Sequence, residues 1–179
     1  MVWHTSASRV VYENRWIRVR EDDVTGPDGE RIYGVVEMQH PSVFVVALDE
    51  KDAICLVSIQ RYTTGRSWEL PSGGSDGEDP LLAAQRELAE ETGLVAAEWE
   101  HLGTMNALNG IAVAPEHVFL ARGLSPAPDD ALAQAEEGID DVVRVPFAEA
   151  LAMVLDGRIS DGETIAALAY AGIRLGRFA

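Results

Sequence analysis

The stretch Gly73–Leu94, GGSDGEDPLLAAQRELAEETGL, carries more structural instruction than any other part of the chain. A loop of Gly, Ser and Asp runs into Asp79-Pro80, and a helical pattern follows as far as Thr92-Gly93. Asp79 suits the N-cap, where its carboxylate can accept hydrogen bonds from unpaired first-turn N–H groups. Pro80 suits the first helical position, where its missing N–H costs nothing. Gly93 suits the left-handed residue that closes a helix. Along this helix Glu87, Glu90 and Glu91 stand at i, i+3 and i+4, within an arc of roughly 100°. Leu81, Ala84 and Leu88 form an apolar stripe centred about 100° away, so the acidic arc borders the buried face. The arrangement is unfavourable for a bare helix. Like charges at i, i+4 repel by roughly 0.2–0.5 kcal/mol per pair, and the last turn prefers cations. A Glu-rich face is ordinarily solvated surface. A bound divalent cation would reverse the penalty, because Mg²⁺ or Mn²⁺ takes oxygen ligands and neutralises clustered carboxylates. The loop, the caps and Arg86 together point to such a metal site.

Glu78, seven intervening residues and then Arg86-Glu87-Leu88-Ala89-Glu90-Glu91-Thr92-Gly93-Leu94 resemble the Nudix box, whose second half reads R-E-U-x-E-E-x-G-U, with U a bulky apolar residue. Every fixed position from Glu78 onward matches. The front departs: strict spacing puts the box glycine at Ser72, whereas the chain has Gly73 and Gly74. The loop is one residue short, or its glycine is displaced by one. The resemblance implies that Glu87 and Glu91 ligate the metal directly, with Glu90 a third or supporting ligand. It implies that the backbone carbonyl of Ser72 joins them. Glu78 is then expected to hold Arg86, and Arg86 to orient the glutamates through charge-assisted contacts.

Composition limits the partners. Thirty acidic and 14 basic side chains give a formal net charge of −16. Such a surface repels phosphate backbones and anionic membranes, so a nucleic-acid polymer is excluded and a small anionic substrate needs local cations. Cys55 is the sole cysteine, so no intrachain disulfide forms. It lies in the apolar run AICLVSI and is expected in the core. The first residues lack an apolar signal core, and no apolar run approaches the ~18 residues of a membrane span. The expectation is a cytoplasmic protein.

Val10–Tyr12, Ile17–Val24 and Arg31–Met38 read as strands around the turn cluster Thr25–Gly29. They make an N-terminal antiparallel β unit, residues 1–41, too thin to stand alone. Residues 42–179 form the main domain. Ser42–Leu48 and Ala53–Ile59 read as a hairpin entering a buried sheet. Trp99–Met105 and Glu116–Ala121 are strands flanking a loop, Asn106–Pro115, and residues 123–138 are an irregular acidic connector. Asp141–Val145 is a short strand. Phe147–Asp156 is a helix, and another follows a cap at Ser160 or Asp161. Strands with helices on both sides predict an α/β fold. It agrees with the Nudix-like α/β/α sandwich with a mixed central sheet that the resemblance implies.

The N-terminal unit, QRYTTGRSWELPSGG, the acidic connector and DDVVRVPFAEALAMVLDGRISDGETIAAL resemble the ADP-ribose pyrophosphatase branch of the family. This similarity covers most of residues 8–170. It implies a homodimer that exchanges its N-terminal strands. Arg61 and Arg66 then border the substrate site, and Glu69 matches the glutamate before the Leu-Pro of the loop. Glu136 or Glu137 in the connector would supply the general base. One departure concerns specificity. Between Gly110 and His117 the acidic residue common in the branch is missing, unless Glu116 substitutes. The expected activity is metal-dependent hydrolysis of the pyrophosphate in a nucleoside diphosphate–X substrate, ADP-ribose or a nucleotide sugar. The alternatives are a Nudix enzyme for nucleoside triphosphates or dinucleotide cofactors, and a non-catalytic nucleotide-sensing module. The intact box glutamates weigh against the last.

Overall fold

A computed structural model of the chain describes residues 2–128 and 138–178. The candidate bases Glu136 and Glu137 lie outside the described residues.

The N-terminal unit comprises β1 (His4–Glu13), β2 (Ile17–Gly26) and β3 (Gly29–Met38), paired antiparallel in sequence order. β4 (Ser42–Ala47) and β5 (Ala53–Arg61) follow, then β6 (Gly65–Glu69) and the three-residue β7 (Ser72–Gly74). The box helix is α1 (Pro80–Thr92). It leads into β8 (Leu94–Asn106), the short β9 (Ala112–Val113) and β10 (Pro115–Pro126). β11 (Ile139–Pro146), α2 (Phe147–Leu155) and α3 (Gly162–Arg174) complete the described elements.

Three sheets result, in the orders β1-β2-β3-β9, β7-β4-β10-β8 and β11-β5-β6. β4 and β10 run parallel, whereas β10 and β8 are antiparallel, so the central sheet is mixed. β4 shows why the layers form. Its alternate residues Val43, Val45 and Ala47 pack in one cluster with Ala83, Ala84 and Leu88 of α1. Phe44, Val46 and Leu48 pack in a second cluster with Phe147, Met153 and Leu168 of α2 and α3. β10 repeats the pattern, sending Phe119 to the first cluster and Val118 and Leu120 to the second. Side chains alternate along a strand, so a continuous apolar run is what a strand covered on both faces needs. Each fully buried Val or Leu contributes roughly 1.5–3 kcal/mol. The α/β/α sandwich follows. Cys55 is buried among these residues, which pushes its thiol up to about 11 and leaves it unreactive.

Three expectations need revision. Ser42–Leu48 and Ala53–Ile59 do not form a regular hairpin. Only the bridge Leu48–Ile54 joins them, after which β4 and β5 diverge into different sheets. The segment Gly65–Gly74, for which no strand is predicted above, supplies two strands. The Asn106–Pro115 loop also carries β9, which pairs parallel with β3 through Val36–Ala112 and Glu37–Val113. The Tyr33 hydroxyl donates to the Gly110 carbonyl, so this loop is fastened to the N-terminal sheet.

Candidate active site

The box loop is held at both ends. β7 pairs with β4 through Ser42–Gly74 and Phe44–Ser72, and the Ser75 N–H donates to the Pro41 carbonyl at 2.8 Å. Asp79 caps α1, its Oδ1 accepting from the Leu81 N–H at 2.9 Å. Gly93, at φ 69°, closes the helix with its N–H on the Ala89 carbonyl.

Between these anchors Arg86 ties loop to helix. Its guanidinium donates to Glu87 Oε1 at 2.8 Å, Glu90 Oε2 at 2.9 Å, Glu78 Oε2 at 3.3 Å and the Gly74 carbonyl at 3.0 Å. Burial pulls this guanidinium down, but the bonds to Glu90, Glu87 and Glu78 outweigh it and hold it above the ordinary arginine value. Glu87 and Glu91 are only 6% and 3% exposed. Buried carboxylates are tolerated when they are paired, and Glu91 Oε2 accepts from the Ser72 N–H at 2.9 Å. Gly73 explains the irregular front of the box. A Cβ on this residue would stand 2.2 Å from Glu87 Oε1, so any side chain here would have to displace that carboxylate. The close approach falls at Gly73 rather than at Ser72.

A cleft of about 440 Å³ opens beside Ser72, lined among others by Arg61, Glu69, Glu116, Asp161 and Glu163. Arg61 donates to both oxygens of Glu69, at 2.6 Å to Oε2 and 3.3 Å to Oε1, and this pairing raises the guanidinium pKa. The N-terminus of α3 lines the same cleft. Asp161 caps it through the Thr164 N–H at 2.7 Å, and Thr164 Oγ1 accepts from the Leu70 N–H at 3.1 Å, locking α3 to the box loop. Arg66 is directed elsewhere. It is an exposed side chain paired with Asp140 at 2.5 Å. His117 lies in β10, with its Nδ1 3.3 Å from His101 Nε2 and 3.2 Å from Thr104 Oγ1. Burial lowers its pKa, and His101 adds to the effect.

Sequence reasoning considered Glu116 only as a stand-in for a missing residue, saw Asp161 only as a cap and passed over Glu163. A signal was present. Glu116 keeps the register of Val118 and Leu120 in β10, and an acidic residue at an inward strand position is rare unless paired.

The donor set fits a hard divalent cation. Two buried carboxylates flank a carbonyl-bearing loop whose glycine leaves room beside Glu87. Among the described residues no three His, Cys, Asp or Glu side chains converge as a complete cage. Mg²⁺ does not require one, since it is commonly held by one or two carboxylates plus substrate phosphates and water.

The NUDIX domain signature matches residues 38–168 of this chain. The chain belongs to the Nudix family. A second signature, that of the nucleoside diphosphate sugar hydrolase N-terminal domain, matches residues 3–36. An ADP-ribose pyrophosphatase of Mycobacterium tuberculosis is 35% identical over 169 residues, covering 92% of this chain and 80% of the relative. A CMP-5'-(N-acetyl-N-hydroxy-3-aminopropyl)phosphonate hydrolase of Streptomyces rubellomurinus is 32% identical over 178 residues, covering 97% and 84%. A solved ADP compounds hydrolase superposes with a TM-score of 0.82 at 21% identity, over 98% of this chain and 95% of that one, and so shares its fold. The protein is accordingly a Nudix pyrophosphatase-type hydrolase. No helix among its described residues is long and apolar enough to cross a membrane.

Proposed function

We propose that this Nudix hydrolase cleaves the pyrophosphate of a nucleoside diphosphate joined to a second group, with ADP-ribose or a nucleotide sugar as substrate. The carrying observation is the placement of Glu87 and Glu91, buried and oriented by Arg86 and Ser72, next to an open cleft. The relatives support the substrate class, since the names of both describe nucleotides conjugated to another group.

Glu87, Glu91 and the Ser72 carbonyl would hold Mg²⁺ or Mn²⁺, with Glu90 in support. Such a metal lowers the pKa of bound water and neutralises charge on the phosphate oxygens. Arg86 holds the Glu87 and Glu90 carboxylates, the Ser72 N–H holds Glu91, and Glu78 holds Arg86. Arg61, fixed by Glu69, offers a cation on the cleft side for a phosphate oxygen. Arg66, paired with Asp140, is not among the residues that line the cleft. Glu136 or Glu137 takes the proton from the attacking water. With ADP-ribose the products are AMP and ribose 5-phosphate. The enzyme acts as a homodimer formed through its N-terminal sheet.

The test is phosphate release, with phosphatase coupling, from ADP-ribose, ADP-glucose, GDP-mannose, NADH and nucleoside triphosphates in Mg²⁺ and then Mn²⁺. The expected result is preferred turnover of a sugar conjugate, abolished by EDTA and restored by either metal. Glu91→Gln should fall at least about a hundredfold, as expected when a metal ligand is lost. Unaltered activity in that variant, or turnover that persists in EDTA, would sink the metal assignment.

A further inference from the structure

β10 carries Glu116 into the face of the sheet that α3 covers, in register with Val118 and Leu120. The residue is 6% exposed, and its Oε2 has no hydrogen-bond partner. An unpaired buried carboxyl is costly, so its place is unfavourable for the fold alone. Its surroundings add to the cost. Asp161 and Glu163, from the start of α3, line the same cleft. Among the described residues lining it the one cation is Arg61, already bound to Glu69. Glu116 and Glu163 also line an adjoining cavity of about 310 Å³, with Asn106 and Leu108 of the loop fastened to the N-terminal sheet. The three carboxyls are not arranged as metal ligands.

We propose that Glu116, with Asp161 and Glu163, forms an acidic subsite for the hydroxyl-bearing group beyond the substrate's pyrophosphate. This subsite makes the enzyme prefer sugar conjugates to nucleoside triphosphates. Sugar hydroxyls are donors, and Glu116, which lines the cleft and whose buried Oε2 lacks a partner, is an acceptor with capacity to spare. A terminal phosphate in the same place would bring further negative charge and no donor. Burial pushes the Glu116 carboxyl up to about 7, with Glu163 and Asp161 adding to the shift, so near neutral pH it can also donate to a hydroxyl oxygen. A site built to bond a hydroxyl discriminates strongly against a ligand lacking it, because its own polar groups are then left unpaired.

This inference rests on the proposed sugar-conjugate hydrolysis. Its test compares kcat/KM for ADP-ribose and ATP in wild type, Glu116→Gln, Glu116→Ala and Glu163→Gln, with folding checked by circular dichroism. The wild type should favour ADP-ribose, and the ratio should collapse tenfold or more in Glu116→Ala through a raised KM for ADP-ribose. Glu116→Gln, which retains an amide able to bond hydroxyls, should lose less. If Glu116→Ala fails to fold, the Gln variants decide, and each should shift the ratio at least threefold. A ratio within twofold of wild type in every folded variant overturns the subsite while leaving the hydrolase reading intact. Wild type that turns over neither ADP-ribose nor any sugar conjugate overturns both.

Discussion

Glu116 is buried without a partner for one of its oxygens, and its carboxyl titrates near 7 instead of its ordinary 4.5. The native state therefore holds this proton more tightly than the unfolded chain does. Below about pH 4.5 both states are protonated and no cost arises. As pH rises from 4.5 to about 7 the unfolded chain releases this proton while the folded state retains it, so stability falls relative to a chain without the group. The full penalty is on the order of 3 kcal/mol. Thermal melting of wild type and Glu116→Gln from pH 5 to pH 8 should show the wild type losing ground as pH rises to about 7 and levelling off above it. Parallel pH curves would show that the carboxyl is not held as the structure places it. A residue that costs stability while lining a cleft is the usual mark of function retained at the expense of the fold.

The loop–helix unit works through backbone as much as through side chains. Asp79, Pro80 and Gly93 set the ends of α1, and four bonds from Arg86 set the loop against it. Gly73 and Gly74 look equivalent in the sequence but differ in the structure. A methyl group at Gly73 would collide with the Glu87 carboxylate. At Gly74 it would meet only Asp76 Oδ1, at 3.4 Å. Gly73→Ala should therefore lower kcat/KM by roughly tenfold or more, as displacing a metal-site support does, with little change in melting temperature. Gly74→Ala should lose distinctly less. Equal losses would mean that Glu87 is not held where the structure places it. The two-way alternation of β4 and β10 was readable in advance because Val43–Ala47 and Val118–Ala121 are unbroken apolar runs, as strands covered on both faces require. The separation of β4 from β5 was not, since a short acidic turn is compatible with a hairpin whether or not the strands stay paired.

The N-terminal sheet raises the question of assembly. Every residue of β1 is exposed, and Val10, Val11, Tyr12 and Trp16 are each at least half exposed. β1 is also an edge of its sheet, with one row of backbone groups unpaired among the described residues. Exposed apolar edges are associated with pairing to another chain. Light scattering should give the mass of a dimer, and Val11→Glu with Trp16→Glu should halve it. A monomeric wild type would refute the homodimer. Stable monomer from the double variant, with weakened ADP-ribose turnover, would show that the second chain helps to form the site.

Local chemistry explains which features were legible beforehand. Helix caps, strand alternation and the spacing of Glu87, Glu90, Glu91 and Arg86 are short-range properties, encoded within a few residues of one another, and they yielded the sandwich, the box helix and its carboxylate arc. The cleft depends on contacts between Leu70 and Thr164, and on Glu116, Asp161 and Glu163 arriving from separate elements. Such meetings follow from how strands are ordered and how α3 docks, which no local pattern specifies. The same reason separates Arg61, brought into the cleft by Glu69, from Arg66, which lies a few residues on and is drawn to Asp140. Residue type announced the chemistry, and packing chose which residues share a site.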